Sequence, residues 1–318
     1  MGGEHVQFTI TEEQDGLLLR DFLKKHCKLS HRMTKRLKYS EGGITVNGES
    51  VTVRKILHTG DVLSLAAEDA VPTEKIRPVD LPIDILYEDE ELVVPSKPAN
   101  MPTHPSHDHY DDTVANALCY RYEQMGVPFC FRPVNRLDRD TSGLLLIARG
   151  QIAADRLNRA MREGRVRKSY LAILEGAPSP AEGEIETHLC RTDASIIVRR
   201  VCTPEEGGDY ALTRYRTLAV ANGYALVEAS PITGRTHQLR VHFAHLGHPI
   251  VGDDMYGHAH PDMPRQALHA HTLSFPHPTD GHTVRVRAPL PGDMTVFLRT
   301  YFEQDAYTER IIPQHETD

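Results

Sequence analysis

At 318 residues the chain is longer than one ordinary domain, so two are expected. Hydrophobic residues at 40%, charged residues at 25% and the lack of any apolar run as long as a membrane span exclude disordered, fibrous and helix-spanning classes. The net charge of −8 argues against a chain that coats nucleic acid, yet residues 1–65 hold 10 Lys and Arg against 8 Asp and Glu, leaving the acidic excess downstream.

The N-terminus, Met-Gly-Gly-Glu-His-Val, lacks a signal peptide's basic-then-apolar layout, and Val6 stands where myristoylation needs Ser or Thr. Five cysteines (27, 119, 130, 190, 202) without a Cys-x-x-Cys pair fit reduced thiols in a cytoplasmic protein.

Residues 17–38 read as two helices. Leu18, Leu19, Phe22 and Leu23 give the first an apolar face, and Ser30 can cap a second that carries Met33 and Leu37. Gly42-Gly43 ends that helix, Ile44–Val46 reads as a strand entering an Asn47-Gly48 turn, Val51 and Val53 continue the hairpin, and 60–65 supply a turn and closing strand. Residues 22–40 carry seven basic side chains (Lys24, Lys25, Lys28, Arg32, Lys35, Arg36, Lys38) and no acidic one. Such a run is either a solvated helix face or a surface for RNA phosphates, which need a basic patch and not a basic protein.

The proline-bearing, charged segment 67–82 reads as a linker between a module at 1–66 and a larger domain at 83–304, with a polar tail at 305–318. Residues 85–87, 92–94, 144–148, 170–174 and 225–229 are strand candidates, and Ala153, Leu157 and Met161 share one helical face over 151–163. The mixture predicts an α+β domain.

Two segments could carry chemistry. In Arg136-Leu137-Asp138-Arg139-Asp140-Thr141-Ser142-Gly143, Asp138 lies in an arginine-flanked turn just before the apolar run Leu144–Ala148. A carboxylate there is ionised at neutral pH, a poor general base but a usable nucleophile or electrostatic stabiliser. An ordinary polar turn accounts for the same residues. In the second segment, 233–250, Thr233 or Thr236 can cap a helix with an apolar face of Leu239, Phe243 and Leu246, ended by Gly247. His237 and Arg240 then share a neighbouring face, and the helix start beside Arg235 is a ready phosphate site; a surface helix with solvated arginines is the plainer reading.

Nineteen histidines include the pairs His107/His109, His258/His260 and His269/His271, but without His-Glu-x-x-His or paired cysteines no metal site is expected. Neither a Walker loop, nor Gly-x-Gly-x-x-Gly, nor a Gly-x-Ser-x-Gly elbow is present, so no nucleotide cofactor is expected.

Together these segments resemble the RluA/RluD family of pseudouridine synthases over nearly the whole chain. The family's His-Arg-Leu-Asp-x-x-Thr-Ser-Gly signature is similar to 135–143, its Lys-x-Tyr strand to Lys168 and Tyr170, and its Gly-Arg-Thr-His-Gln-x-Arg segment to 234–240. Leu92–Pro98 with His104-Pro105, Gly252-Asp253 with Tyr256-Gly257, Leu268-His269-Ala270 and Ala288–Pro291 follow in order. The first 65 residues resemble a small RNA-binding module shared by a ribosomal protein and several RNA-modifying enzymes. Asn135 departs from the family's histidine and Asn100 from a frequent glycine.

The resemblance implies a small α/β RNA-binding module and a mixed, mainly antiparallel sheet domain with a central cleft. It implies isomerisation of uridine to pseudouridine in structured RNA, ribosomal rather than transfer RNA, by a monomer without a cofactor. Asp138 becomes the nucleophile, on the sugar carbon or the uracil ring; Arg240 pairs with it, and Tyr170 packs on the base or assists the last proton removal. Arg136, Asn135, Lys168, Arg235 and His237 are expected to contact the RNA. A catalytically silent RNA-binding or ribosome-assembly factor is the competing function, and a synthase acting on transfer RNA is a further one.

Overall fold

The computed structural model describes residues 5–40, 42–66 and 76–302. The first unit runs β1 (His5–Thr9), α1 (Leu19–Lys25), α2 (His31–Tyr39), β2 (Ile44–Val46), β3 (Glu49–Ser50) and β4 (Val62–Ala66), with sheet order β1-β4-β2-β3. Ser30 Oγ accepts from the Met33 N–H at 3.1 Å, which caps α2 as its sequence predicts. Asn47 and Gly48 both take positive φ, 53° and 83°, the turn that matches the twist of a two-residue hairpin. Two expectations need correction. Strand β1 was not anticipated, although Val6, Phe8 and Ile10 alternate, and β3 stops at Ser50, so Val51 and Val53 pack against the module's core beyond the strand's end.

The larger unit comprises β5 (Asp84–Glu88), β6 (Leu92–Lys97), α3 (Val114–Gln124), β7 (Arg132–Pro133), β8 (Ser142–Leu144), β9 (Ile147–Ala148), α4 (Gln151–Arg162) and β10 (Arg167–Glu175). It continues with β11 (Glu182–Thr192), β12 (Ser195–Cys202), β13 (Asp209–Ala221), β14 (Tyr224–Pro231), α5 (Gln238–His245), β15 (Leu268–Pro276), β16 (Thr283–Arg287) and α6 (Gly292–Tyr301). Its strands form a 12-stranded sheet, β12-β11-β13-β14-β10-β15-β8-β6-β9-β7 with β16 on β15 and β5 on β6. Only the β8–β15 pairing is parallel among the described strands.

The apolar run 144–148 explains why this region is a sheet centre. Leu145 and Ile147 join one core while Leu144, Leu146 and Ala148 join the other, so alternate side chains are buried on both faces. The run is not one strand: it breaks at 145–146, where β8 gives way to β9.

The expected linker at 67–82 falls partly outside the described residues. Its later part is docked: Ile76 and Leu81 pack on the main core, and the Val79 N–H donates to Asn116 O at 3.2 Å. The module is also tied to the larger unit. Ile152 of α4 joins the module's core, and the Ser30 N–H donates to Asp155 Oδ2 at 2.7 Å. The expected tail lies outside the described residues. Among the described residues no helix is long and apolar enough to cross a membrane, and all five cysteines are unbridged.

Candidate active site

Asp138 sits between β7 and β8 on backbone held by other side chains. Leu137 exchanges two hydrogen bonds with Thr103 Oγ1, at 3.1 and 3.3 Å. Lys97 donates to Arg139 O at 2.7 Å and, on its other side, to Pro98 O and Met101 O. Arg265 Nη1 donates to Asp140 O at 3.0 Å while its Nε and Nη2 grip Asp293. Gly143 takes φ +109°, and a Cβ there would lie 2.2 Å from Ala270 O, so only glycine lets β8 meet β15. A turn pinned on both flanks is preorganised.

The Asp138 side chain keeps 24% of its exposure, and among the described residues no N–H or O–H donates to its carboxylate at hydrogen-bond distance. Two side chains of the next segment face it: Arg240 Nη1 at 3.8 Å and His237 Nε2 at 3.9 Å. Tyr170 is buried beside it, and its phenol is pushed well above the ordinary tyrosine range, first by burial and then by the Asp138 charge.

Arg240 is oriented from behind. Its Nε and Nη2 each lie 2.7 Å from an oxygen of Asp253, which is 1% exposed and also accepts from the Met255 and Tyr256 amides. Burial would lower the guanidinium's proton affinity, but the hydrogen bonds and charge of Asp253 hold it above its ordinary value. The Tyr256 ring lies 5.0 Å from the guanidinium, and its hydroxyl is 2.8 Å from His237 Nδ1. Burial lowers His237 below the usual histidine range, with the Asp138 charge opposing.

Asp138, Tyr170, His237 and Arg240 line a cleft of about 140 Å³ with Arg136, Lys168, Gly234 and Arg235. A register shift between Ser169 and Tyr170 in the β10–β15 pairing lies beside it, a common device for re-aiming side chains at sites.

A profile described as RNA pseudouridylate synthase matches residues 91–245, and one described as the RluD ribosomal pseudouridine synthase N-terminal domain matches residues 6–63. A Bacillus subtilis protein named as an uncharacterized RNA pseudouridine synthase, YjbO, is 37% identical over 85% of this chain and 95% of its own. A Zymomonas mobilis protein named ribosomal large subunit pseudouridine synthase D is 35% identical over 92% of this chain and 96% of its own. The chain belongs to the RluA/RluD family of RNA pseudouridine synthases. Its fold matches the solved structure of human RNA pseudouridylate synthase domain containing 1, with a TM-score of 0.58 at 28% identity over 74% of this chain and 97% of that one. Synthases of this family are isomerases, and the mixed, mainly antiparallel fold expected from the sequence is the one observed.

Of the residues expected at the site, Asp138, Tyr170, Arg240, Arg136, Lys168, Arg235 and His237 come together in the cleft. Asn135 does not. Its Oδ1 accepts from the Leu146 N–H at 2.7 Å and its Nδ2 donates to Leu144 O at 3.4 Å, so it braces the strand behind the turn and is not part of the cleft lining.

The 233–250 segment also differs from expectation. Its helix α5 starts at Gln238, after His237 in the left-handed region at φ +56°, an unfavourable conformation for an L-residue. Neither threonine caps it: Thr233 Oγ1 accepts from the Leu212 N–H and donates to Gln238 Oε1. The predicted phosphate site at the helix start is therefore altered, because Gln238 takes the Arg235 N–H and the Arg235 Nε donates to Tyr210 O. Leu239 and Phe243 are buried as expected, but Leu246 is exposed.

Arg240 was expected to pair with Asp138 and lies 3.8 Å from it; its closer partner is Asp253, at 2.7 Å. Asp253 and Tyr256 were visible only as a matching segment, and Thr103 and Arg265 gave no sequence signal. All seven module cations are exposed, and none is ion-paired among the described residues. The histidine pairs serve other partners: His109 meets Asp112, His258 meets Glu175 and His269 meets Ser142. The one group of the described residues with metal-ligand spacing, His277, Asp280 and His282, lies in the β15–β16 turn, away from the cleft.

Proposed function

We propose that this protein converts uridine to pseudouridine in large-subunit ribosomal RNA, in the cytoplasm, with Asp138 as the attacking group. The observation that carries this reading is a carboxylate without a hydrogen-bond donor, half-buried on a clamped turn, facing Arg240 and the ring of Tyr170. An acceptor-only oxygen in that state keeps its lone pairs available for attack. The RluD-type module and the relatives with ribosomal names support ribosomal RNA as the substrate.

The uridine leaves the RNA stack and enters the cleft. Asp138 adds to the sugar carbon or to the uracil ring; the base–sugar bond breaks, the base turns, and its ring carbon C5 joins the sugar. C5 then loses its proton and N1 gains one, so nothing is consumed. Arg240 holds the aspartate ionised and aimed, and Tyr170 packs on the base. Arg136, exposed at the cleft mouth, fills the gap left in the RNA stack. One attacking carboxylate suffices; Asp253, the neighbouring acid, is neutralised by Arg240. Hydrolytic glycosidases instead need two working carboxylates and a water.

Mapping pseudouridine in ribosomal RNA from cells with the gene deleted, then restored as wild type or Asp138→Asn, tests this. Loss of a large-subunit site, recovered by wild type alone, is expected. Loss confined to transfer RNA, or recovery by Asp138→Asn, would overturn the substrate or the nucleophile respectively.

A further inference from the structure

Strands β11 and β12 form a hairpin at the edge of the large sheet, and their register sets Arg191 directly opposite Arg199. Like charges opposed across an antiparallel pair destabilise the sheet. The next arginine, Arg200, is compensated by Glu206 at 2.7 Å, whereas Arg191 is exposed and has no carboxylate partner among the described residues. Arg199 is held on the hairpin, its Nη1 donating to Ile197 O at 3.0 Å.

These two guanidiniums and that of Arg235 line a cavity of about 410 Å³. One carboxylate, Asp209, also lines it, 3.5 Å from Arg235. Three arginines and one aspartate are thus the charged residues of its lining. The cavity shares the wall Gly234-Arg235-Thr236 with the cleft that holds Asp138. The two are also coupled by bonding: the Arg199 N–H donates to the Tyr256 hydroxyl at 2.9 Å, and that hydroxyl meets His237 beside Asp138.

We propose that this cavity is a subsite for a backbone phosphate of the RNA strand next to the extruded uridine, with Arg191 and Arg199 gripping its oxygens. The proposal rests on the uridine-isomerising reading of the cleft. Guanidinium forks suit phosphate oxygens, and an anion bridging the two arginines offsets the repulsion of setting them opposite one another. A neighbouring nucleotide is the natural occupant because the two cavities adjoin.

Arg191→Glu and Arg191→Lys, made in the full chain, test it. The probe is deproteinised large-subunit ribosomal RNA, read for its dissociation constant across a potassium chloride series and for the single-turnover rate at saturating protein. Arg191→Glu should weaken binding about tenfold at low salt and reduce the salt slope by about 0.7–0.9, the share of one phosphate contact. Arg191→Lys should keep the slope, and the saturating rate should stay within about twofold of wild type, a small barrier change. An unchanged slope in Arg191→Glu overturns the subsite. So does a lost saturating rate at unchanged affinity, which would put Arg191 in the chemistry. If wild type makes no pseudouridine, the isomerase reading fails, and the binding series still decides whether the cavity holds phosphate.

Discussion

Arg240 and Asp253 form a two-pronged ion pair, with both N···O distances 2.7 Å, that leaves only Nη1 of the guanidinium facing Asp138. The pair fixes the arginine so that it approaches Asp138, at 3.8 Å, without bonding it closely, and the carboxylate that we propose as the attacking group stays uncovered.

Breaking that pair should be costly in two currencies. Arg240→Ala leaves Asp253 buried and unpaired, and should destabilise the fold by about 3–5 kcal/mol. Asp253→Asn preserves the shape and should reduce activity by more than it reduces stability, because the guanidinium is no longer aimed. Denaturant unfolding and single-turnover rates on the same variants check this. Equal losses of stability in Arg240→Ala and in an exposed control such as Arg299→Ala would contradict it.

Tyr170 is 7% exposed, and its hydroxyl has no hydrogen-bond partner among the described residues. Tyr170→Phe should therefore keep stability within about 0.5 kcal/mol, while Tyr170→Ala loses about 3 kcal/mol or more. A phenol pushed upward by burial is a reluctant proton donor to solvent, so the ring is expected to matter most. Tyr170→Phe should retain activity within about tenfold, equivalent to about 1.4 kcal/mol in the barrier. Rates for Phe as low as those for Ala would assign the hydroxyl to proton transfer.

Asn135 offers one acceptor to Leu146 and one donor to Leu144. Asn135→Leu would strand the buried Leu146 amide and should cost about 1–3 kcal/mol. Asn135→His can still accept that N–H and should change the rate by less than about tenfold. Unfolding curves and rates for the two variants separate the cases, and a large gain in rate from histidine would show that asparagine is a handicap here.

Acid stability should depend on two buried histidines, His242 of α5 and His269 of β15. Burial pushes His269 down to about 3 and His242 down to about 4. The unfolded chain takes up these protons near pH ~6.5 while the fold stays neutral, so the unfolded state gains stability as pH falls from there towards 4. The loss is on the order of 2 kcal/mol for each residue. Unfolding free energies between pH 6.5 and 4.5 should slope less in His269→Gln than in wild type; an identical slope would remove His269 from the account.

Much of this was legible in the sequence, for identifiable reasons. Period-two burial made 144–148 a sheet centre, and Ser30 with Met33 and Leu37 marked a capped helix, because both signals are local. Strands β11, β12 and β13 went unread; their alternation is diluted by charged residues on an exposed face. Asp138, Tyr170 and Arg240 were found through motif and resemblance. The supports Lys97, Thr103 and Arg265 reach Asp138's turn from distant positions, and local pattern carries no trace of a hydrogen bond between Arg265 and Asp140. Asn135 was grouped with the cleft because its neighbours in sequence line it, whereas its own side chain hydrogen-bonds back to Leu144 and Leu146.

The turn that carries Asp138 is fastened by Lys97, Thr103 and Arg265 on backbone oxygens and amides to either side. The attacking group proposed for this turn, on such backbone, has no closing motion of its own to make. The swing that extracts a nucleotide and the rotation that re-aims its base must then come from the RNA. Turnover should track how readily the RNA opens, and a substrate already melted at the target should react faster with the protein unchanged.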